Sequence, residues 1–220
     1  MLQIAIDGPA GAGKSTVSTL LASKLGFNVL NTGDIYRSFT IAFLNLKILP
    51  TELDKIRDSL NNIHIEIKYL NGKQNTFLDG KNITSKLHEN FVSENVSAYA
   101  KIQIIRDQTV HIQREISMKN NIVIEGRDIG TVVLPNANFK FFVTASDVVR
   151  ADRRYKELIS KGEQVEYEKI LEEIRKRDYE DSTRKNSPLK MAEDGILIDT
   201  SNLTIDEAVN KMYNIVKEGK

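Results

Sequence analysis

Eight residues carry the first chemical signal. Gly8-Pro9-Ala10-Gly11-Ala12-Gly13-Lys14-Ser15 follows the spacing G-x-x-x-x-G-K-[ST]. Glycines let backbone N–H groups turn inward around an anion, and the N-terminus of a following helix adds partial positive charge. At this spacing Lys14 reaches the outer phosphates of a nucleoside triphosphate, and the Ser15 hydroxyl is placed to ligate Mg²⁺.

Arginines carry the second signal. A guanidinium presents a planar fork of donors that matches phosphate bidentately. Arg37 closes the run Asn31-Thr32-Gly33-Asp34-Ile35-Tyr36, and Arg127-Asp128 lies within Ile124-Glu125-Gly126-Arg127-Asp128-Ile129-Gly130-Thr131. Arg177, Asp181 and Arg184 are spaced i, i+4, i+7 and share a face if their helix persists that far. Arg150, Arg153 and Arg154 cluster on an earlier helix. On pattern alone, a solvated face with i, i+4 pairing accounts equally for both helical groups.

These side chains need a frame. Short apolar runs at 2–6, 27–31, 121–125, 139–144 and 195–199 read as strands separated by helical patterns. Val17, Leu20, Leu21 and Leu25 recur at helical spacing after the glycine loop. Thr204-x-x-Glu207 reads as a capping box, followed by the stripe Ile205, Ala208, Val209, Met212, Tyr213 and Val216. Such alternation predicts a three-layer α/β/α fold around a five-stranded parallel sheet. Ligands of such sheets bind beyond the carboxyl ends of the strands, so the glycine loop and both arginine segments are expected on one edge.

One segment breaks the alternation. Ile63, Ile65 and Ile67 alternate with His64, Glu66 and Lys68; Asn71-Gly72 follows, then a second strand-like run at 74–78 and Asp79-Gly80. Asn-Gly between alternating runs is a strong hairpin signal. A small antiparallel insert is therefore expected at about 61–84.

Bulk properties narrow the class. The chain has 220 residues, 40% of them apolar, which suits one sizeable α/β domain spanning 1–220 with insertions. A net charge of +1 gives no basic field for nucleic acid, and the absence of cysteine removes disulfides and thiolate metal sites. His64, His88 and His111 do not pair at metal-ligand spacing. No apolar run approaches the roughly 18 residues of a membrane helix. No charged region followed by an apolar stretch opens the chain, so a soluble cytoplasmic protein is expected.

Over about residues 2 to 216 the chain resembles bacterial cytidylate kinases. The resemblance rests on IDGPAGAGKST, NTGDIYR, the insert, EGRDIGTVVLPNA, RRYKEL, RDYEDSTR followed by SPL, and ILIDTS. It implies phosphoryl transfer from ATP, with Mg²⁺, to CMP and dCMP, by a monomer. It implies that the phosphate loop, through Thr16, and Arg153 hold ATP. Arg37, Arg127 and Arg184, with Thr32, are implied to bind the monophosphate or the transferring group. Ser97, Arg106 and Asp128 are implied at the cytosine ring and Asp181 at the ribose. Arg177 works beside the phosphates, so that Lys14, Arg127, Arg177 and Arg184 form the catalytic set. A helical lid over ATP is implied at about 150–165, and a substrate-covering role for the insert. Which of Arg150, Arg153 and Arg154 touches ATP stays open.

The implied roles agree with the chemistry. Cytosine offers an N4 amino donor and an N3 acceptor; uracil offers the reverse. An ionised Asp128 only accepts and Arg106 only donates, so the pair favours cytosine. The attacking phosphate oxygen, with a second pKa of about 6, is largely ionised and needs no general base. What remains is to hold two polyanions in line and screen their repulsion.

Two residues depart from the family pattern. Asp34 stands where alanine is usual, and is expected as a helix-start carboxylate facing solvent, the alternative being that, three residues from Arg37, it competes with the acceptor phosphate. Glu125 replaces a more usual aspartate. It either reaches the Mg²⁺ shell through water or closes the strand end, and Ser15 alone is assigned to the metal. A second reading keeps the scaffold but changes the acceptor to UMP, another monophosphate or a hydroxyl. A nucleotide switch is disfavoured, because no glycine has an aspartate three residues before it.

Overall fold

A computed structural model describes residues 1–70 and 72–219. In chain order the elements are β1 (Gln3–Asp7), α1 (Lys14–Leu25), β2 (Asn28–Asn31), α2 (Thr32–Asn45), α3 (Leu53–Leu60), β3 (Ile65–Leu70), β4 (Lys73–Leu78) and β5 (Lys81–Asn82). There follow α4 (Asn90–Ala100), α5 (Gln103–Ser117), β6 (Ile122–Gly126), β7 (Phe139–Thr144), α6 (Asp147–Ser160), α7 (Tyr167–Thr183), β8 (Ile196–Asp199) and α8 (Ile205–Glu218). The five expected strands are present and form the parallel sheet, with a separate three-stranded antiparallel sheet beside them in sequence. Among the described residues no helix is long and apolar enough to cross a membrane.

The chain divides into two compact units. The first comprises Met1–Phe27 together with the chain from Asn121 onward. Here β1 pairs in parallel with β6 and β7, and β7 with β8. Ile4, Ala5, Ile6 and Ile122–Ile124 are fully buried, as strands covered on both faces must be. The register sets Asp7 against Gly126 and Phe142, and Thr144 against Asp199. The carboxyl ends are thereby level, and the loops that follow them share one edge.

Helix ends in this unit obey local rules. Gly26 closes α1 in the left-handed region at φ 70°, and Phe27 N–H reaches Ala22 O, as in a Schellman cap. Thr204 and Glu207 exchange both bonds of the capping box before α8. Two stripe residues depart from expectation: Leu20 is exposed, and Ile205 is half-exposed at 52% rather than packed in the core. Ala208, Val209, Met212 and Val216 alone carry the fully buried face of α8.

The second unit is Asn28–Asn120. Its core stacks Phe39 on Phe43 and Phe43 on Tyr99, whose hydroxyl donates to Ile48 O at 2.7 Å. The insert lies here. Its β3–β4 ladder runs from Ile65↔Leu78 to Leu70↔Lys73, and a third strand, β5, pairs with β4. The expected hairpin is thus a three-stranded sheet. Asp79 and Gly80 turn the chain with φ of 49° and 78°. Asn71 of the expected Asn71-Gly72 turn lies outside the described residues.

Candidate active site

In the first unit, the loop between β1 and α1 is shaped for an anion. Gly8 sits at φ 150°, where a Cβ would stand 1.9 Å from Val143 O, so no other residue fits. Gly13, at φ 85°, turns the chain into α1. Lys14 is 6% exposed and its ammonium donates to Pro9 O at 2.8 Å. Burial and then the nearby Arg127 charge push its pKa down to about 7, against the opposing pull of Glu125, Asp7 and Asp181. A second cation of the same unit thus acts on the loop lysine.

Ser15 Oγ donates to Glu125 Oε1 at 2.5 Å, a charge-assisted contact between α1 and the end of β6. Asp7, at the end of β1, accepts from Ile129 N–H and Gly130 N–H, both at 2.7 Å. These two bonds fix the backbone just after Arg127-Asp128. Burial outweighs them and pushes the Asp7 carboxyl up to about 6.

Arg127, Asp128, Asp181 and Arg184 form one network in this unit. Arg127 Nε donates to Asp181 Oδ2 at 2.9 Å. Arg184 stands 3.7 Å from Asp128 and 3.9 Å from Asp181, and donates through Nε to Ser187 O at 2.6 Å. Helix α7 ends at Thr183, so Arg184 joins the others from the residue beyond it rather than from a shared helical face. Arg177 is exposed, and its charge interacts with both Arg127 and Asp181.

The three arginines of α6 separate cleanly. Arg150 is 4% exposed, forks onto Asp178 at 3.0 and 2.5 Å, and donates to Ala145 O and Ala10 O. It braces the glycine loop from behind. Arg154 pairs with Glu157 on the surface. Arg153 donates to Thr200 Oγ1 at 3.2 Å and Thr200 O at 2.8 Å and lines a cavity of about 450 Å³. That cavity runs along the loop and Lys14–Val17, with Thr200, Leu203, Ile205 and Ala208 on its wall. It is polar at the loop and apolar beyond, the mixture that suits a nucleotide with its base. Helix α6 and the start of α7 pack through Ala151, Leu158, Ile170 and Leu171.

In the second unit, α2 starts at Thr32, which is 4% exposed, and Asn31 caps it by accepting from Gly33 N–H at 3.0 Å. Arg37 donates to Leu87 O at 2.9 Å and Ser93 Oγ at 3.0 Å. Ser97 is exposed on α4. Arg106 is 4% exposed, stands over the Tyr36 ring at 5.8 Å, and lies 3.5 Å from Ala100 O. Asp34 does not face solvent as expected. It is 9% exposed and accepts from Gln74 Nε2 at 3.0 Å, with His88 3.7 Å away. Burial and the Arg37 charge push the His88 pKa down.

Comparison with known proteins places this geometry. The cytidylate kinase family model matches residues 4–218. The chain belongs to the cytidylate kinase family. It is 46% identical over 216 residues to a cytidylate kinase of Clostridium botulinum, covering 98% of both chains. It is 45% identical over 214 residues to a cytidylate kinase of Caldicellulosiruptor saccharolyticus, covering 97% of this chain and 95% of the other. In fold it is similar to an uncharacterized protein from Eubacterium ventriosum, with a TM-score of 0.56 at 15% identity and 99% of both chains covered.

Several of these contacts, in either unit, were not legible in the sequence. Asp7 lies just past the expected strand at 2–6, and its partners lie 122 and 123 positions away. Thr200 and Leu203 follow β8 at the same edge as the glycine loop, and that position was the available signal. Gln74 had none, because its partners are 40 and 43 residues distant in sequence.

Proposed function

We infer that this chain is a phosphotransferase that passes the terminal phosphoryl group of ATP to CMP, and to dCMP, giving ADP and CDP or dCDP. The observation that carries the reading is end-to-end similarity to cytidylate kinases at 46% identity, on a chain whose glycine loop has the phosphate-binding form. Residue roles are those the family resemblance implies, and the chemistry of each side chain agrees with them. The loop from Gly8 through Thr16 and Arg153 take ATP, with Lys14 on its outer phosphates. Arg127, Arg177 and Arg184 stabilise charge on the transferring group. Thr32 and Arg37 are assigned to the acceptor phosphate, Asp181 to the ribose, and Ser97, Arg106 and Asp128 to cytosine. The α6–α7 hairpin and the insert are assigned to closure over the nucleotides.

Ser15 and Glu125 fit Mg²⁺. They offer two hard oxygens 2.5 Å apart, and Mg²⁺ takes one or two protein oxygens with the rest from phosphate and water. Among the described residues no group of three or more His, Cys, Asp or Glu competes for that role. Bound there, the ion supplies charge neutralisation on the phosphates. Lys14 holds the proton that keeps its end of the site cationic, and Pro9 O aims it.

The test is ADP release at fixed ATP against CMP, dCMP, UMP, AMP and shikimate. CMP and dCMP should stimulate release well above acceptor-free hydrolysis. Stimulation by shikimate alone, or by none of the five, ends the reading.

A further inference from the structure

Gln74 belongs to the insert, not to any sequence signature, yet it grips the turn between β2 and α2 at three points. Its Oε1 accepts from Asn31 N–H at 2.8 Å. Its Nε2 donates to Asp34 Oδ2 at 3.0 Å and approaches Asn31 O at 3.4 Å. A primary amide is the neutral side chain that both donates and accepts in one plane, and this turn presents it with a donor, a carboxylate and a carbonyl. Asn31 in turn caps α2 through Gly33 N–H. Thr32 lies directly between the two residues that Gln74 holds, and Arg37 follows one helical turn later.

We propose that Gln74 is a positioning residue for the acceptor nucleotide, registering strand β4 of the insert against the β2–α2 junction, whose first helical turns carry Thr32 and Arg37. The inference rests on the assignment of that turn to the acceptor phosphate. Gln74 touches no reacting atom; it acts through Asn31 and Asp34. It also explains how this chain accommodates an acid three residues before Arg37. The amide supplies a donor to a carboxylate that is 9% exposed, so the acid is held within its own unit by a neutral partner. A leucine at 74 keeps the volume and removes both functions.

Steady-state kinetics on the full chain decides the matter. Gln74→Leu should raise KM for CMP about five-fold, as for loss of one or two part-buried hydrogen bonds, with KM for ATP and acceptor-free hydrolysis within about two-fold. Gln74→Glu should also raise KM for CMP, since it opposes two carboxylates. Gln74→Glu combined with Asp34→Asn exchanges donor and acceptor and should bring KM for CMP back toward the wild-type value. A purely structural role would move both nucleotides together and gain nothing from the exchange. If Gln74→Leu does not fold, the exchanged pair decides alone. Unchanged KM for CMP in Gln74→Leu, equal loss for CMP and ATP, or an exchanged pair no better than Gln74→Glu overturns the proposal. Arg37→Ala separates the premise: if it leaves KM for CMP unchanged, the acceptor assignment fails and the proposal with it. If Arg37→Ala is severe and Gln74→Leu silent, the positioning role alone fails.

Discussion

Ser15 and Glu125 meet at 2.5 Å, hydroxyl to carboxylate, across the gap between the first turn of α1 and the last residues of β6. Glu125 is 5% exposed and its charge also acts on Lys14. With Ser15 as the proposed Mg²⁺ ligand, a buried carboxylate that orients its hydroxyl would tune the metal as well as the fold. Glu125→Ala should lower turnover at limiting Mg²⁺ by about 10-fold or more, with part of the loss recovered at high Mg²⁺. ADP release measured across a Mg²⁺ titration checks this. An unchanged Mg²⁺ midpoint would confine Glu125 to closing the strand end.

Lys14 is the second lever. Its pKa is about 7 in the free protein, because burial and Arg127 disfavour its charge. A triphosphate beside it favours that charge, so binding raises the pKa and takes up a proton when the pH lies above 7. Affinity for ATP is then full below that value and falls as pH rises through it. Calorimetry at pH 8 in two buffers of different ionisation enthalpy should show uptake of up to about one proton, missing in Lys14→Ala. Lys14→Ala should also abolish turnover. Equal uptake in both proteins would move the titrating group elsewhere.

Asp7 predicts a stability signature of opposite position. Its carboxyl ordinarily titrates at 3.8 and is pushed up to about 6 by burial. A group whose folded pKa is raised contributes stability that is complete below the unfolded value and is lost as pH rises through the folded one. The wild type should therefore lose stability relative to Asp7→Asn between pH 4 and pH 6, and the difference should level off above that. Thermal melts of the two proteins across that range check the slope. A flat difference would mean that the two backbone bonds to Ile129 and Gly130 outweigh burial.

Much of this architecture was legible because its code is local. The glycine loop, the capping box at Thr204 and the five apolar strands each depend on neighbours within a few residues, and their observed bounds shift by about one position at most. Failures share a cause of the opposite kind. Asp34 reads as a solvent-facing helix-start acid until Gln74, 40 residues on, is seen to hold it. Arg150, Arg153 and Arg154 are alike on a helical wheel, and only Asp178, Thr200 and Glu157 tell brace from cavity wall from surface. Ile205 fits an apolar stripe by period, yet the first turn of α8 opens onto the cavity. Strand β5 is two residues long, too short for any periodicity to announce it.

Asp128 offers the sharpest test of acceptor choice. It is 6% exposed and lies 3.7 Å from Arg184, so two roles compete: reading the cytosine amino group, or holding Arg184. An ionised carboxylate only accepts, which rewards the N4 amino group of CMP and penalises the O4 of UMP. Removing it should therefore erase discrimination, not merely activity. Asp128→Ala should weaken CMP by about 10-fold or more while KM for ATP stays near its original value. The ratio of kcat/KM for CMP over UMP should collapse in Asp128→Ala and fall in Asp128→Asn, whose amide can turn either a donor or an acceptor to the base. If Asp128 instead works through Arg184, both pyrimidines lose turnover equally and the ratio survives. Parallel CMP and UMP kinetics on the two variants separates these outcomes.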